Sequence, residues 1–337
     1  MVRTHSFKQF FATALSLAVA GLPISSVRAE QVNITLAGAD CGNLVFWRNI
    51  PQMPTASLSA VGGSINGKIY AAGGLDANAN PLSLTQVYQP LKNKWSSAAS
   101  MPDVRYGGAA ATLGDKFYVA GGWTRSPPLP NNNLWAYDPK TNAWETRSSI
   151  SHLSACGAAG VINGKLYLTT PCAGSGPYQP LLDVYDPVTD QWTRLADSAK
   201  AHSDAAVGVI DGKLYVAGGF DGAVINVTER YDPDTNAWTT LAPMPIAVNL
   251  ATSIAQNGLL YVFGGSGAGA TNKTVQIYNP DKNSWKVCSL SRYTLPIQTR
   301  GVAGVAYGFI FAAGGGKDTS LQPASTGFSV LPLPSLP

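Results

Sequence analysis

An all-β fold, a β-propeller of six blades with four antiparallel strands each, is what this sequence predicts, and three observations predict it. The phrase YDPKTNAW at 137–144 returns as YDPVTDQW (185–192), YDPDTNAW (231–238), YNPDKNSW (278–285) and, more loosely, YQPLKNKW (88–95). Upstream stands an alternating strand that ends in two glycines: KIYAAGG (68–74), KFYVAGG (116–122), KLYVAGG (213–219), LLYVFGG (259–265) and FIFAAGG (309–315), with KLYLTTPC (165–172) replacing the diglycine once. The diglycine positions, counting Pro171-Cys172 as one, recur every 46–50 residues. A repeat of that length filled with short alternating strands is a blade.

Each element has its own reason. Within the eight-residue phrase, Pro pre-sets φ for a turn, the preceding Asp or Asn accepts backbone hydrogen bonds, and the later Asn tolerates a left-handed backbone. Tyr137 therefore ends one strand and Trp144 starts the next. Before most of these strands sits a tight-turn dipeptide: Asn66-Gly67, Gly114-Asp115, Asn163-Gly164, Asp211-Gly212 or Asn257-Gly258. Such dipeptides between alternating runs signal hairpins. The strands before them are small-residue runs, AVGGSI (60–65), GGAAAT (107–112) and GAAGVI (157–162), which suit the crowded axis. The outermost strand has room for Trp.

Six Tyr-type anchors follow the diglycine positions: Tyr88, Tyr137, Tyr185, Tyr231, Tyr278 and Phe328. Trp95, Trp144, Trp192, Trp238 and Trp285 follow five of them, and the chain then runs into LPLPSLP. Trp47 stands one period before Trp95. A strand around Trp47 is therefore expected to complete the C-terminal blade, close the ring and remove two sheet edges.

Diglycine, Tyr and Trp in this phase resemble the kelch repeat over nearly all of residues 30–337. That family is known as a propeller fold, which agrees with the reading from the residues. The Gly-His and Trp-Asp marks of the WD40 alternative are missing.

Residues 1–29 read as a signal peptide: basic Arg3 and Lys8, an apolar run from Phe10 to Val19, and Val27-Arg28-Ala29 as the cleavage site. The mature chain, one propeller domain over 30–337, is expected to be exported, secreted or periplasmic. No other run is long and apolar enough to span a bilayer. The formal net charge is +4, but Arg3, Lys8 and Arg28 belong to the leader, which leaves about +1. With no Lys/Arg cluster, nucleic acid is not an expected partner. The four cysteines have no zinc spacing. Two bridges are expected, Cys156 with Cys172 around the Asn163-Gly164 turn and Cys41 with Cys288. The first has a register off by one, which Pro171 is expected to relieve. Sequons at Asn33, Asn226 and Asn272 are read as chance occurrences in a chain with a bacterial-type leader.

The once-per-blade Tyr, Trp and Gly are scaffold, so a unique site belongs where the repeat is broken. GxSxG, HExxH and Walker motifs are missing, and the run from Gly264 to Gly269 lies between strands, where a dinucleotide loop does not form. A binding module for a protein or carbohydrate ligand is the leading reading, with no cofactor and no metal expected. Its candidate surface is the side carrying the loops after each diglycine and after each Trp strand: Arg105, Tyr106, Trp123, Arg125, His152, Tyr178, His202, Phe220, Asp221, Arg292, Tyr293 and Arg300. Aromatics beside Arg hold sugars and peptide side chains. Resemblance to other kelch-type propellers implies two alternatives. One is a small-sugar enzyme like the exported sialic-acid mutarotases, needing an acid and a base from Asp204, Asp221, His202 and Asp318. The other is a galactose oxidase-like copper enzyme, whose two-His, two-Tyr ligand set has no motif here.

Overall fold

The structure is a computed structural model and describes residues 48–124, 129–172, 177–267, 270–271, 274–289, 301–307, 309–316 and 328–332. Strand β1 is Arg48–Ile50. The first repeat then forms β2 (Val61–Ile65), β3 (Lys68–Ala72), β4 (Thr85–Gln89) and β5 (Lys94–Ala98), paired in that order. The second forms β6 (Ala109–Leu113), β7 (Lys116–Ala120), β8 (Leu134–Asp138) and β9 (Ala143–Arg147). The third forms β10 (Ala159–Ile162), β11 (Lys165–Thr169), β12 (Leu182–Asp186) and β13 (Gln191–Arg194). The fourth forms β14 (Ala206–Ile210), β15 (Lys213–Ala217), β16 (Thr228–Asp232) and β17 (Ala237–Leu241). In the fifth, β18 (Thr252–Gln256) and β19 (Leu259–Phe263) precede a small ribbon, β20 (Ser266–Gly267) with β21 (Ala270–Thr271). Its sheet is completed by β22 (Thr274–Asn279) and β23 (Ser284–Ser289). The chain then adds β24 (Val302–Ala306), β25 (Phe309–Ala313) and β26 (Phe328–Pro332).

The expectation of six kelch blades is corrected at this point. Five blades are complete within their own repeat. The remaining four-stranded sheet has the order β1-β26-β25-β24 and draws on both ends of the described chain, with Arg48 opposite Val330 and Ile50 opposite Phe328. It is a composite sheet and not a sixth repeat. The reason is in the sequence: after Phe328 there is no turn phrase and no Trp, so no outer hairpin can form, and β1 takes the outer position. Trp47, expected to anchor that strand, lies outside the described residues, as does the expected Cys41 pairing.

The repeated phrase turns out to be a clamp between blades. Within each turn the Tyr hydroxyl donates to the Asn side chain: Tyr88 to Asn93, Tyr137 to Asn142, Tyr231 to Asn236 and Tyr278 to Asn283, each at 2.8 Å. Asp190 takes the Asn role for Tyr185. These Asn and Asp residues have φ of 43–57°, the left-handed region that Asn tolerates best among non-glycine residues. The same Asn then reaches the preceding blade. Asn142 accepts from the Ala99 amide at 2.9 Å, while the Trp144 indole donates to the Ala99 carbonyl at 2.8 Å. Ser148, Ala196 and Ala242 are gripped in the same two-bond way by Asp190 with Trp192, Asn236 with Trp238, and Asn283 with Trp285. Trp95 closes the set by donating to the Pro51 carbonyl, just beyond β1, at 2.9 Å.

A second seam lies nearer the axis. In the first, second and fourth blades the second glycine donates its amide to a carbonyl of the following blade: Gly74 to Arg105, Gly122 to Ser154 and Gly219 to Val248, each at 2.7 Å. Gly315 does the same to Ser57 at 2.8 Å, joining the composite sheet to the first blade. Only glycine serves at Gly74: its φ is 95°, and an added Cβ would stand 2.0 Å from the Ser57 hydroxyl. The third blade breaks this seam. Thr170 donates to the Leu181 carbonyl, as Gly73, Gly121 and Gly218 donate to theirs, so Thr170-Pro171 occupies the diglycine place. The sequence-based alignment on Pro171-Cys172 was one residue late. Pro171 has no amide hydrogen, so the bond to the fourth blade is lost there.

The core consists of apolar clusters between neighbouring sheets. In one of them Val61, Tyr70 and Val87 of the first blade meet Phe117, Val119 and Tyr137 of the second. The innermost strands touch so closely that a Cβ on Gly62 would lie 2.4 Å from Val302 Cβ.

Trp144→Phe keeps the ring but orphans the Ala99 carbonyl. It is expected to lower unfolding free energy by about 1–2 kcal/mol in denaturant titration. Lys140→Ala in the same turn removes an exposed ion pair with Asp115 and is expected to change stability by less than about 1 kcal/mol.

Candidate functional site at the channel mouth

In the five repeats, the residue two or three places before the innermost strand is in the left-handed region: Ser59, Gly107, Cys156, Asp204 and Leu250, with φ of 53–58°. These five are linked in a belt. Gly107 N–H donates to Ser59, Cys156 to Gly107, Asp204 to Cys156 and Leu250 to Asp204, at 2.8–2.9 Å. The backbone repeats while the side chains differ in every blade. A second ring stands beside it, just after the diglycine positions: Leu75, Trp123, Cys172, Phe220 and Ser266, each bridged to the residue before a belt member. Between the innermost strands lies a cavity of about 190 Å³, whose wall is mostly Gly, Ala, Val, Ser and Thr, with Asp204 as its one acidic group.

Among the described residues, the side chains with chemistry gather on blades two to four. The Trp123 indole donates to Cys156 Sγ at 3.4 Å, and Cys172 Sγ lies 3.3 Å from Ser203 Oγ. Tyr178 meets Phe220 edge-on, with ring centroids 5.3 Å apart. Burial holds the Tyr178 phenol up, and Cys172, Cys156 and Asp204 add to the effect. One phenol, two sulfurs and one carboxylate therefore share a small space. Lys200 pairs with Asp221 at 3.3 Å, and both are within a few residues of the mouth.

Two sequence candidates stand behind the mouth instead of on it. Arg105 is 2% exposed and lies over the Trp135 ring at 4.3 Å; burial pulls its guanidinium down to about 10, against the opposing charge of Asp103. His202 is 1% exposed. Its Nδ1 faces the Gly218 carbonyl at 2.7 Å, and its Nε2 faces Glu229 Oε2 at 2.8 Å. Burial pushes the Glu229 carboxyl up. The His202 hydrogen bond and the Ala199 and Lys200 amides together outweigh that and leave it below the usual range. His152 lies in the third blade, 2.9 Å from Thr170 Oγ1 and 3.4 Å from Asp183. The Asp183 carboxyl is raised by burial, which outweighs His152 and Arg194.

Of the sequence candidates, the structure brings together Tyr178 and Phe220, and bridges Tyr106 to Trp123 through the backbone. Arg125, Arg292, Tyr293, Arg300 and Asp318 lie outside the described residues. Sequence reading placed Cys156 and Cys172 in a disulfide, but both are free thiols. Ala155, not Cys156, is the register partner of Cys172, so the offset seen in the sequence persists. Cys288, fully buried on β23, is disulfide-bonded. Ser203 was missed altogether, for it precedes Asp204 without any motif. Among the described residues no group of three metal-ligating side chains occurs, and no helix is long and apolar enough to cross a membrane.

Four-stranded blades clamped by a Tyr–Asn–Trp turn and seamed by a diglycine define a kelch-type β-propeller. Residues 69–321 match the Attractin/LZTR1 beta-propeller family, and the chain belongs to it. Kelch-like protein 26 of Danio rerio is 34% identical over 77 residues, covering 23% of this chain and 13% of that protein. Kelch-like protein 21 of Homo sapiens is 34% identical over 84 residues, 25% of this chain and 12% of that protein. Beta-scruin of Limulus polyphemus is 32% identical over 78 residues, 23% of this chain and 8% of that protein. The chain thus matches about a tenth of the length of these relatives. The solved structure of YjhT superposes with a TM-score of 0.70 at 21% identity, covering 84% of this chain and 97% of that one, and shows the shared fold.

Because the folded Glu229 carboxyl lies below its unfolded value, its contribution is full above the unfolded value of about 4.3 and is lost as pH falls through the folded value. Glu229→Gln replaces a carboxylate acceptor by an amide in a buried site and is expected to cost about 1–3 kcal/mol near neutrality. Its stability-against-pH curve should also be flatter on the acid side than that of the parent.

Proposed function

We propose that this chain is an exported binding protein that holds a protein or carbohydrate ligand over the channel mouth. The observation that carries the reading is the contrast between backbone and side chains there. The belt repeats its hydrogen bonds from blade to blade, while its side chains and those of the outer ring are different at every step. A scaffold needs no such variety. Trp123, Tyr178 and Phe220 supply broad, stiff contact area beside polar groups, the composition that dominates binding energy. The leader-like residues 1–29 support export. Protein partners fit the way large, open propeller surfaces are used, and carbohydrate fits the aromatic rings.

The test is a thermal-shift screen of peptides and glycans on the mature protein, followed by titration calorimetry of whatever binds. Trp123→Ala and Tyr178→Ala are each expected to weaken binding about tenfold or more, with Lys140→Ala unchanged. Weakening by Lys140→Ala alone would move the site to the turn side. Turnover of a sugar anomer that disappears in Asp204→Asn would replace the binding reading with an enzymatic one.

A further inference from the structure

The third blade is the one whose diglycine is replaced, and it is also the one that places two thiols at the mouth. Cys156 is its belt residue and Cys172 its outer-ring residue. In the first, second, fourth and fifth blades the corresponding pairs are Ser59 with Leu75, Gly107 with Trp123, Asp204 with Phe220, and Leu250 with Ser266. Neighbouring blades flank the two sulfurs: Trp123 of the second donates to Cys156, and Ser203 of the fourth contacts Cys172. Cys172 is bridged through the backbone to Ala155, the residue before Cys156, so the two thiols are neighbours on adjoining segments. Cys156 is half-buried beside the cavity, and Cys172 is 9% exposed.

We infer that Cys156 and Cys172 form a dithiol redox site that reduces a small hydroperoxide and closes into an intramolecular disulfide. The roles follow from the donors. Ser203 Oγ stands 3.3 Å from the Cys172 sulfur and can donate to it, an arrangement that favours the Cys172 thiolate. Cys156 holds the Cys172 thiol below the ordinary range even against burial. Cys156 is held up by its Cys172 neighbour first, then by burial and by the Asp204 charge. Cys172 is thus the nucleophile and Cys156 the resolving thiol, because the thiolate is the reacting form. Cys172 is only 9% exposed, which favours a small oxidant such as a hydroperoxide over a bulky disulfide.

The steps balance. The Cys172 thiolate attacks one peroxide oxygen; the S–O bond forms, the O–O bond breaks, and the departing alkoxide or hydroxide takes the Cys156 proton. The Cys156 thiolate then attacks the Cys172 sulfur, the S–S bond forms, and hydroxide leaves and is protonated by solvent. Two thiols and one hydroperoxide give one disulfide, one alcohol (or water) and one water.

The experiment treats the mature protein with hydrogen peroxide, alkylates the remaining thiols and maps the peptides by mass. The expected result is a Cys156–Cys172 linkage with both thiols lost together and one peroxide consumed per chain. Cys156→Ser should stop at a sulfenic acid on Cys172 that dimedone captures, and Cys172→Ser should form no such adduct at residue 156. Ser203→Ala, with an unchanged melting curve, should slow the loss of thiols. Parent protein that keeps both alkylatable thiols, or that oxidises Cys156 alone without linkage, overturns the inference, and this arm needs no variant to fold.

Discussion

A closed ring of sheets requires each blade to be bonded to the next, because a sheet's own ladder ends at its innermost and outermost strands. Here the bonding is concentrated where a Trp indole and an Asn side chain of one blade grip a single residue of the preceding one. Everything else follows from that requirement. The turn must be left-handed at Asn to aim its amide oxygen, Tyr must stand five residues earlier to hold it, and Pro must start the turn. The phrase recurs because the junction recurs. At the first blade the same grip falls on Pro51, so the segment beside β1 is bound by the clamp that elsewhere joins consecutive repeats.

That architecture separates scaffold from site. Backbone groups carry the inner seams, the belt amides and the diglycine amides, and this leaves the side chains at the mouth free to differ. The third blade goes further and gives up a seam bond by placing Pro171 where an amide is needed. Loss of a stabilising contact at one repeat among several is the pattern expected where function competes with regularity. The neighbouring His202–Glu229 pair, fully buried, ties the start of the fourth blade to β16 just beyond the missing bond.

The scaffold was legible in the sequence to the degree that it is periodic. Tyr137, Asn142 and Trp144 could be assigned to a turn because local spacing dictates it, although their grip on Ala99 could not, since that contact joins residues 45 apart in sequence. The composite sheet was legible in part: the missing last Trp pointed to an N-terminal strand as its outer member, and Arg48–Ile50 does pair with Phe328–Val330, but the count of six blades did not hold. The diglycine place of the third blade was misjudged by one residue because Thr170-Pro171 has no glycine to mark it. Arg105 and His202 were read as exposed because charged loop residues usually are. Their partners Trp135 and Glu229 sit on a strand of the same blade some thirty residues on, and only tertiary packing reveals them. Trp123, Tyr178 and Phe220 were singled out by a different rule, that a unique site belongs where a repeat varies.

The central claim is that function sits at the channel mouth on blades two to four. Amide hydrogen exchange of the mature protein, free and saturated with a ligand found by screening, tests it most directly. The account predicts slowed exchange in the segments around Tyr106, Trp123, Cys156 and Phe220, with the Tyr–Asn–Trp turns unchanged. Protection confined to those turns, at 138–142, 186–190 and 232–236, would contradict it.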